Sequence, residues 1–255
     1  MFQNHNLSEE KINSGNIRTI KMGKIIQRER SIIPACDVTS LEEFEKIVKE
    51  TCDIEGIGGY KVGFSLALRY GLPAVVKAAK QHTSKPIIYD HQKAGTDIPD
   101  TGKNFMDICK EAGIDAIILF PQAGPGTERA WIEYALEKNL GVIVGGLMTH
   151  PKYIRSEGGF LADEAIIEMY LNAADQGITD FVVPGNKPDE IMRIRKALEQ
   201  KGISPTFYAP GFVAQGGEIT KAARAAGNNW HAIVGRGIYK AKDIRKAALE
   251  LTSKL

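Results

Sequence analysis

Cysteine is scarce in this chain: among 255 residues there are three, Cys36, Cys52 and Cys109. An odd number without ligand spacing rules out a disulfide framework or a cysteine zinc site as the organising device. Reduced thiols in a cytoplasmic compartment are the expectation, with Cys36 and Cys109 as small apolar fillers of a strand and a helix. An excess of charge of one sign is also missing. The 33 Lys and Arg residues stand against 31 Asp and Glu, a formal net charge of +2, so there is no basic field for nucleic acid or a membrane surface. No run approaches the roughly 18 apolar residues that a bilayer span requires. Residues 1–30 are polar and lack the apolar centre of a signal peptide. They are expected to form an extension outside the core, and residues 31–255 a single catalytic domain. Partners must therefore be sought in local sites.

What the chain does have is alternation. With 43% hydrophobic residues it can bury a full core, as one large α/β domain or as two small ones. Eight short apolar runs rich in β-formers, at residues 31–36, 58–62, 86–89, 116–120, 141–145, 180–183, 206–209 and 232–234, are separated by helix-like stretches. That is the pattern of βα units around a parallel sheet. Thr39 and Ser40 followed by Glu42 and Glu43 predict a capped helix start, with Leu41, Phe44, Ile47 and Val48 as its apolar stripe. Asp100 or Thr101 is expected to cap a later helix whose stripe includes Phe105, Ile108 and Cys109. Residues 110–116 and 174–180 share one phrase: a helix end, a glycine suited to positive φ, then an isoleucine leading into a strand. Eight units of roughly 25 to 30 residues suit a closed (β/α)8 TIM barrel of about 250 residues. An open doubly wound sheet competes, but Ala35-Cys36-Asp37-Val38 lacks the glycine-rich fingerprint expected after its first strand.

In a barrel the chemistry sits at the C-terminal ends of the strands. The first run ends in Asp37 and the second carries Lys61. The third empties into Asp90, Lys93 and Asp97, set among His91, Gln92, Gly95 and Thr96; taken alone, that stretch reads equally well as a solvated loop. The fifth leads to Thr149-His150-Pro151, the seventh to Pro210-Gly211 and Gln215-Gly216-Gly217, and the eighth to Gly235-Arg236-Gly237. Barrels often hold phosphate after strands seven and eight, where glycines let backbone N–H groups approach an anion. Gln215 adds an amide donor there and Arg236 a two-pronged cation. An ordinary turn and a surface charge are the plain alternatives, but their coincidence after these two strands favours an anion grip. His150, beside Pro151, reads as loop packing, His91 as packing or a base, and Trp131 and Trp230 as core or interface.

From about Ile32 to Leu249 these residues resemble the orotidine 5'-phosphate decarboxylase family. The most specific match ends in Asp97-Ile98-Pro99-Asp100-Thr101, similar to the family's Asp-x-Lys-x-x-Asp-Ile-Pro-x-Thr motif. Asp37, Lys61 ahead of Gly63 and Phe64, Thr149-His150-Pro151, the loop at 210–217 and Val234-Gly235-Arg236-Gly237-Ile238-Tyr239 support it. The resemblance implies a carboxy-lyase that converts orotidine 5'-monophosphate (OMP) to UMP in pyrimidine biosynthesis with no cofactor and no metal. It implies a catalytic array of Lys61, Asp90, Lys93 and Asp97. It also implies Asp37 and Thr101 at the ribose, Thr149 at the pyrimidine edge, and Pro210, Gln215, Gly216, Gly235 and Arg236 at the phosphate. Asp97 and Ile98 are implied to enter the site of a second copy, which makes a homodimer the expected assembly.

One spacing departs from the family. Its first Asp and its Lys are one residue apart in between, and the Lys and next Asp two; here two residues separate Asp90 from Lys93 and three separate Lys93 from Asp97. On a regular strand Asp90 and Lys93 face opposite ways. The chain must leave strand geometry directly after Asp90 to bring Lys93 round, and Gly95 suits a kink there. Val213 stands where the family commonly has a small residue. The nearest alternative is a sugar-phosphate lyase or decarboxylase of the same superfamily, acting through a magnesium-stabilised enediolate. Such sites commonly end strand two in an acid, where this chain has Lys61. A phosphate-ligand-binding barrel without chemistry is the non-enzymatic alternative.

Overall fold

The structure is a computed structural model that describes residues 23–91, 94–214, 217 and 219–255. Its strands are β1 (Arg30–Cys36), β2 (Tyr60–Gly63), β3 (Ile87–Asp90), β4 (Ala116–Leu119), β5 (Gly141–Gly145), β6 (Asp180–Val182), β7 (Thr206–Pro210) and β8 (Trp230–Val234). They pair in parallel in chain order, and β8 closes on β1 from Arg30↔Trp230 to Pro34↔Val234. The helices on the outside are α1 (Leu41–Thr51), α2 (Phe64–Tyr70), α3 (Leu72–Lys80), α4 (Thr101–Glu111), α5 (Pro125–Glu137), α6 (Asp163–Asp175), α7 (Pro188–Gln200), α8 (Lys221–Ala226), α9 (Arg236–Tyr239) and α10 (Ile244–Thr252). This is the (β/α)8 TIM barrel expected from the alternation of apolar runs.

Strand alternation sorts the apolar residues into two packed layers. Ile32, Ile87, Ile117 and Val142 face the helices, while their neighbours Ile33, Ile88, Ile118 and Ile143 fill the lumen. Branched side chains dominate both faces because a parallel sheet is covered on both sides. Local signals set the helix ends. Ser40 accepts from the Glu43 N–H at 3.2 Å and starts α1. Gly113 and Gly177 take φ of 82° and 84°. The N–H groups of Ile114 and Ile178 then return to the carbonyls of Cys109 and Ala173, closing both helices in the same way. The start of α4 differs from expectation. Asp100 is already helical, at φ −64° and ψ −30°, and makes no side-chain cap, because a capping side chain needs an extended backbone at that position. Thr101 instead turns its hydroxyl back to the Ile98 carbonyl at 2.8 Å.

Residues 23–29 do not all lie outside the core, as their polarity suggested. Ile26 is buried and Ile25 packs with it against the lumen cluster of Ile33, Ile88 and Ile143. The barrel is open at its N-terminal end, and this apolar pair between Lys24 and Gln27 plugs it. Beside the plug, buried polar groups are paired: Ser31 Oγ with His231 Nδ1 and the Tyr208 hydroxyl with Asp180 Oδ1, both at 2.8 Å. Trp131 and Trp230 are both buried. Cys36 and Cys109 are buried free thiols whose pKa values burial raises, so they serve as apolar fillers. Among the described residues no helix is long and apolar enough to cross a membrane.

One buried acid yields a stability prediction. Glu128 on α5 is buried and its Oε1 has no hydrogen-bond partner among the described residues. Burial pushes its carboxyl from the ordinary 4.5 up to about 8, against the opposing pull of a hydrogen bond from Asn172. A folded-state pKa raised in an acid means that the native chain binds this proton more tightly than the unfolded chain. Stability should therefore fall as pH rises from about 4.5 to about 8. Glu128→Gln should remove that slope and gain about 1–3 kcal/mol above pH 8 by relieving an unsatisfied buried charge. Urea unfolding at pH 5 and pH 9 checks it; parallel pH dependence in the two proteins would contradict it.

Candidate active site

The C-terminal ends of β1, β2 and β3 meet around one buried ammonium. Ala35 pairs with Lys61, Lys61 with Ile88, and Gly63 with Asp90. Ile33 and Ile88 face the lumen, and side chains two residues further along a strand point the same way. Asp37, Lys61 and Asp90 therefore all project into the barrel mouth. Lys61 stands one layer below the acids, and its four-carbon stem carries Nζ up to 2.9 Å from Asp90 Oδ2 and 3.4 Å from Asp37 Oδ1. Gly63 occupies the layer above Lys61; a Cβ there would lie 3.2 Å from Asp37 Oδ1, so its lack of side chain leaves room for the carboxylate.

Lys61 is only 5% exposed. Burial disfavours its charge, but Asp90 and then Asp37 outweigh that, and the pKa is held above the ordinary lysine value. The ammonium is therefore a fixed cation. Its partners differ: the Asp90 side chain is mostly covered, whereas that of Asp37 is 45% exposed and lines an adjoining cavity of about 660 Å³. Gly211, Val213, Gly235, Arg236 and Tyr239 line the same cavity. The loops after β7 and β8 thus face one space, with the Arg236 side chain exposed at the first position of α9. Val213, large for its place, is 8% exposed and forms part of the wall. Pro210 ends β7 and is exposed.

Strand geometry ends at Asp90, and a turn follows in which Gly95 takes φ of 87°. The strand thus stops where the expectation put its end, while Lys93 itself lies outside the described residues, as do Gln215 and Gly216. Asp97 and Ile98 are exposed, and Asp97 Oδ1 accepts the Ile98 N–H at 2.7 Å. Among the described residues the ion-pair partners of Lys61 are Asp37 and Asp90. Thr149 is exposed beyond β5. His91 Nδ1 lies 2.5 Å from the Tyr89 hydroxyl, and His150 packs edge-on against Tyr153, so both histidines take packing contacts.

The ends of strands four and six, which carry no charge cluster, also contribute. Asn186 Nδ2, after β6, donates to the Thr149 carbonyl at 3.0 Å, and Lys187 pairs with Glu157 at 2.6 Å. Gln122, after β4, donates to the Tyr153 hydroxyl at 2.5 Å. The loop carrying Thr149 is thereby tied on both flanks. Its sequence signal is a polar residue one or two positions after a Pro that follows a strand, as in Phe120-Pro121-Gln122 and Pro184-Gly185-Asn186. Among the described residues no group of three or more His, Cys, Asp or Glu side chains is arranged to hold a metal ion.

Comparison with known proteins gives consistent findings. Residues 30–251 match the family described as orotidine 5'-phosphate decarboxylase / HUMPS. An orotidine 5'-phosphate decarboxylase from Methanosarcina barkeri is 34% identical over 233 residues, covering 90% of this chain and 96% of the relative. One from Pyrococcus abyssi is 33% identical over 221 residues, covering 86% and 96%. The crystal structure of orotidine 5'-monophosphate decarboxylase from Methanocaldococcus jannaschii, complexed with the inhibitor BMP, is similar with a TM-score of 0.74 at 26% identity, covering 88% of this chain and 97% of that one.

Proposed function

The chain belongs to the orotidine 5'-phosphate decarboxylase / HUMPS family, and from that premise we propose that it decarboxylates OMP to UMP with no metal and no organic cofactor. The observation that carries this reading is Lys61: strand two brings an ammonium to the barrel mouth and holds it between Asp37 and Asp90. A magnesium-stabilised enediolate calls for a carboxylate at that position. A fixed cation among acids suits a reaction whose difficulty is charge.

Loss of CO₂ breaks the bond between C6 of the pyrimidine and its carboxylate and leaves the electron pair in an sp² orbital that the ring delocalises poorly. Without an electron sink, stabilisation falls to oriented protein charges. Lys61 with Asp37 and Asp90 sums to one positive and two negative charges, a net −1. Lys93 supplies the balancing cation, stabilises the carbanion, and transfers a proton from its Nζ to C6. Asp90 stands against the substrate carboxylate; that repulsion vanishes as the carboxylate becomes neutral CO₂, so it favours the transition state over the ground state. Asp37 and Thr101 reach the ribose hydroxyls and Thr149 the pyrimidine edge. Pro210, Gln215, Gly216, Gly235 and Arg236 surround the phosphate, and this remote grip orients the ring.

Asp97 and Ile98 complete the site of a second copy, giving a homodimer. Their exposure supports this, with Ile98 at 59%, as does that of Phe64 and Leu68 on α2, at 45% and 77%. Large apolar side chains left in solvent mark a surface for covering. The test is OMP turnover with and without EDTA. Equal rates are the expected result. Turnover of a hexulose or gulonate phosphate that EDTA abolishes, or tight OMP binding without release of CO₂, would overturn the reading.

A further inference from the structure

We infer that Thr127 and Trp131 on α5 are positioning residues that set the Asp97–Ile98 segment for the neighbouring copy's site, an inference that rests on the proposed function. Thr127 Oγ1 donates to the Asp97 carbonyl at 2.8 Å, and Trp131 Nε1 donates to the Ile98 carbonyl at 3.1 Å. Four residues apart, they share one face of the helix. The Thr101 hydroxyl also donates to the Ile98 carbonyl, at 2.8 Å. Both carbonyls are thus anchored inward while both side chains stand exposed. A segment that must present a carboxylate across an interface needs this division, because a freely moving backbone would spread the charge over many positions.

The anchor is itself fixed. A Cβ on Gly102 would lie 2.6 Å from Trp131 Cδ1, so the indole packs directly on the α4 backbone. Phe105 lies against Trp131 with ring centroids 5.2 Å apart. It also meets Tyr89 at 6.1 Å and His91 at 5.6 Å. Tyr89 and His91 flank Asp90 in the chain. One aromatic block therefore joins the acid of a subunit's own site to the segment lent to its neighbour. Thr127 and Trp131 touch no substrate in this scheme; they act through the Asp97–Ile98 backbone.

Trp131→Phe keeps a ring and removes the N–H, and Thr127→Val keeps the shape and removes the hydroxyl. Each should lower kcat for OMP about tenfold to a hundredfold, the effect of a misplacement near 1 Å, with KM little changed. The decisive measurement pairs each variant with Lys93→Ala on a second, differently tagged chain. In a mixed dimer, the subunit with intact Lys93 receives an intact Asp97–Ile98 segment from its partner. Random mixing should then restore about a quarter of parental activity, since half the dimers are mixed and each has one working site. Parental kcat in both variants, or purified mixed dimers no more active than the average of the two parents, would overturn the inference. No OMP turnover by the unmodified chain would instead count against the proposed function, and an active Lys93→Ala homodimer against the role that function gives Lys93.

Discussion

Lys93→Ala should abolish OMP turnover while leaving the affinity for UMP within a few-fold of the parent. The proposed function asks this side chain both to stabilise the carbanion and to protonate it. Proton transfer by a positioned group is worth about 10²–10⁴-fold and removal of a preorganised charge about 10²–10³-fold. A fall in kcat of at least about 10⁴-fold follows if the two contributions compound. Binding should survive because the ribose and phosphate contacts proposed for Asp37, Gly235 and Arg236 do not involve Lys93, and these three residues line one cavity. Single-turnover kinetics with an independent UMP titration separate the two quantities. An active Lys93→Ala enzyme would transfer the acid role to Lys61, the other ammonium in reach of the site.

Lys61→Met should cost both activity and stability. The ammonium is buried and faces Asp90 at 2.9 Å and Asp37 at 3.4 Å. Its removal takes one buried counter-charge away from a largely covered carboxylate. Breaking a buried pair in this way costs about 3–5 kcal/mol of stability. Loss of the array's fixed cation should lower kcat by about 10²–10³-fold. Lys61→Met/Asp90→Asn separates the two effects: neutralising the acid that faced the ammonium should recover much of the stability and none of the activity. Recovery of activity in the double variant would assign the pair a purely structural role.

The pH dependence of this pair has a definite sign. After the opposing effect of burial, Asp90 and Asp37 hold the Lys61 pKa above its ordinary 10.5. A cation raised in this way contributes stability that is fully present below 10.5 and is lost as pH climbs through the folded-state value. Between pH 5 and pH 9 the pair's contribution is therefore flat, and Glu128 contributes a decline in that window.

The strands were legible because their signal is local. Residues 141–145 alternate between lumen and helix layer, and glycines at 113 and 177 announce helix ends whatever surrounds them. The charges on strands one, two and three were legible for the same reason, since a charged residue in or directly after a short apolar run needs no tertiary knowledge to notice. The failures have a common cause. Residues 23–29 look solvated by composition, yet Ile25 and Ile26 close a lumen that exists only once β8 has met β1. Asp100 sits at the expected cap position, but its backbone conformation was set by the turn before it.

By itself, then, the sequence determined that eight βα units follow one another, which residues end the strands, and which family the charged stretch after the third strand resembles, all of which depend on neighbours a few positions away. Only the tertiary structure decided that Lys61, one layer below Asp37 and Asp90, reaches both, and that Thr127 and Trp131 on a distant helix hold the carbonyls of Asp97 and Ile98. Those facts depend on strand register and on how helices pack around a closed cylinder. Both are set by long-range contacts, and no window along the chain contains them.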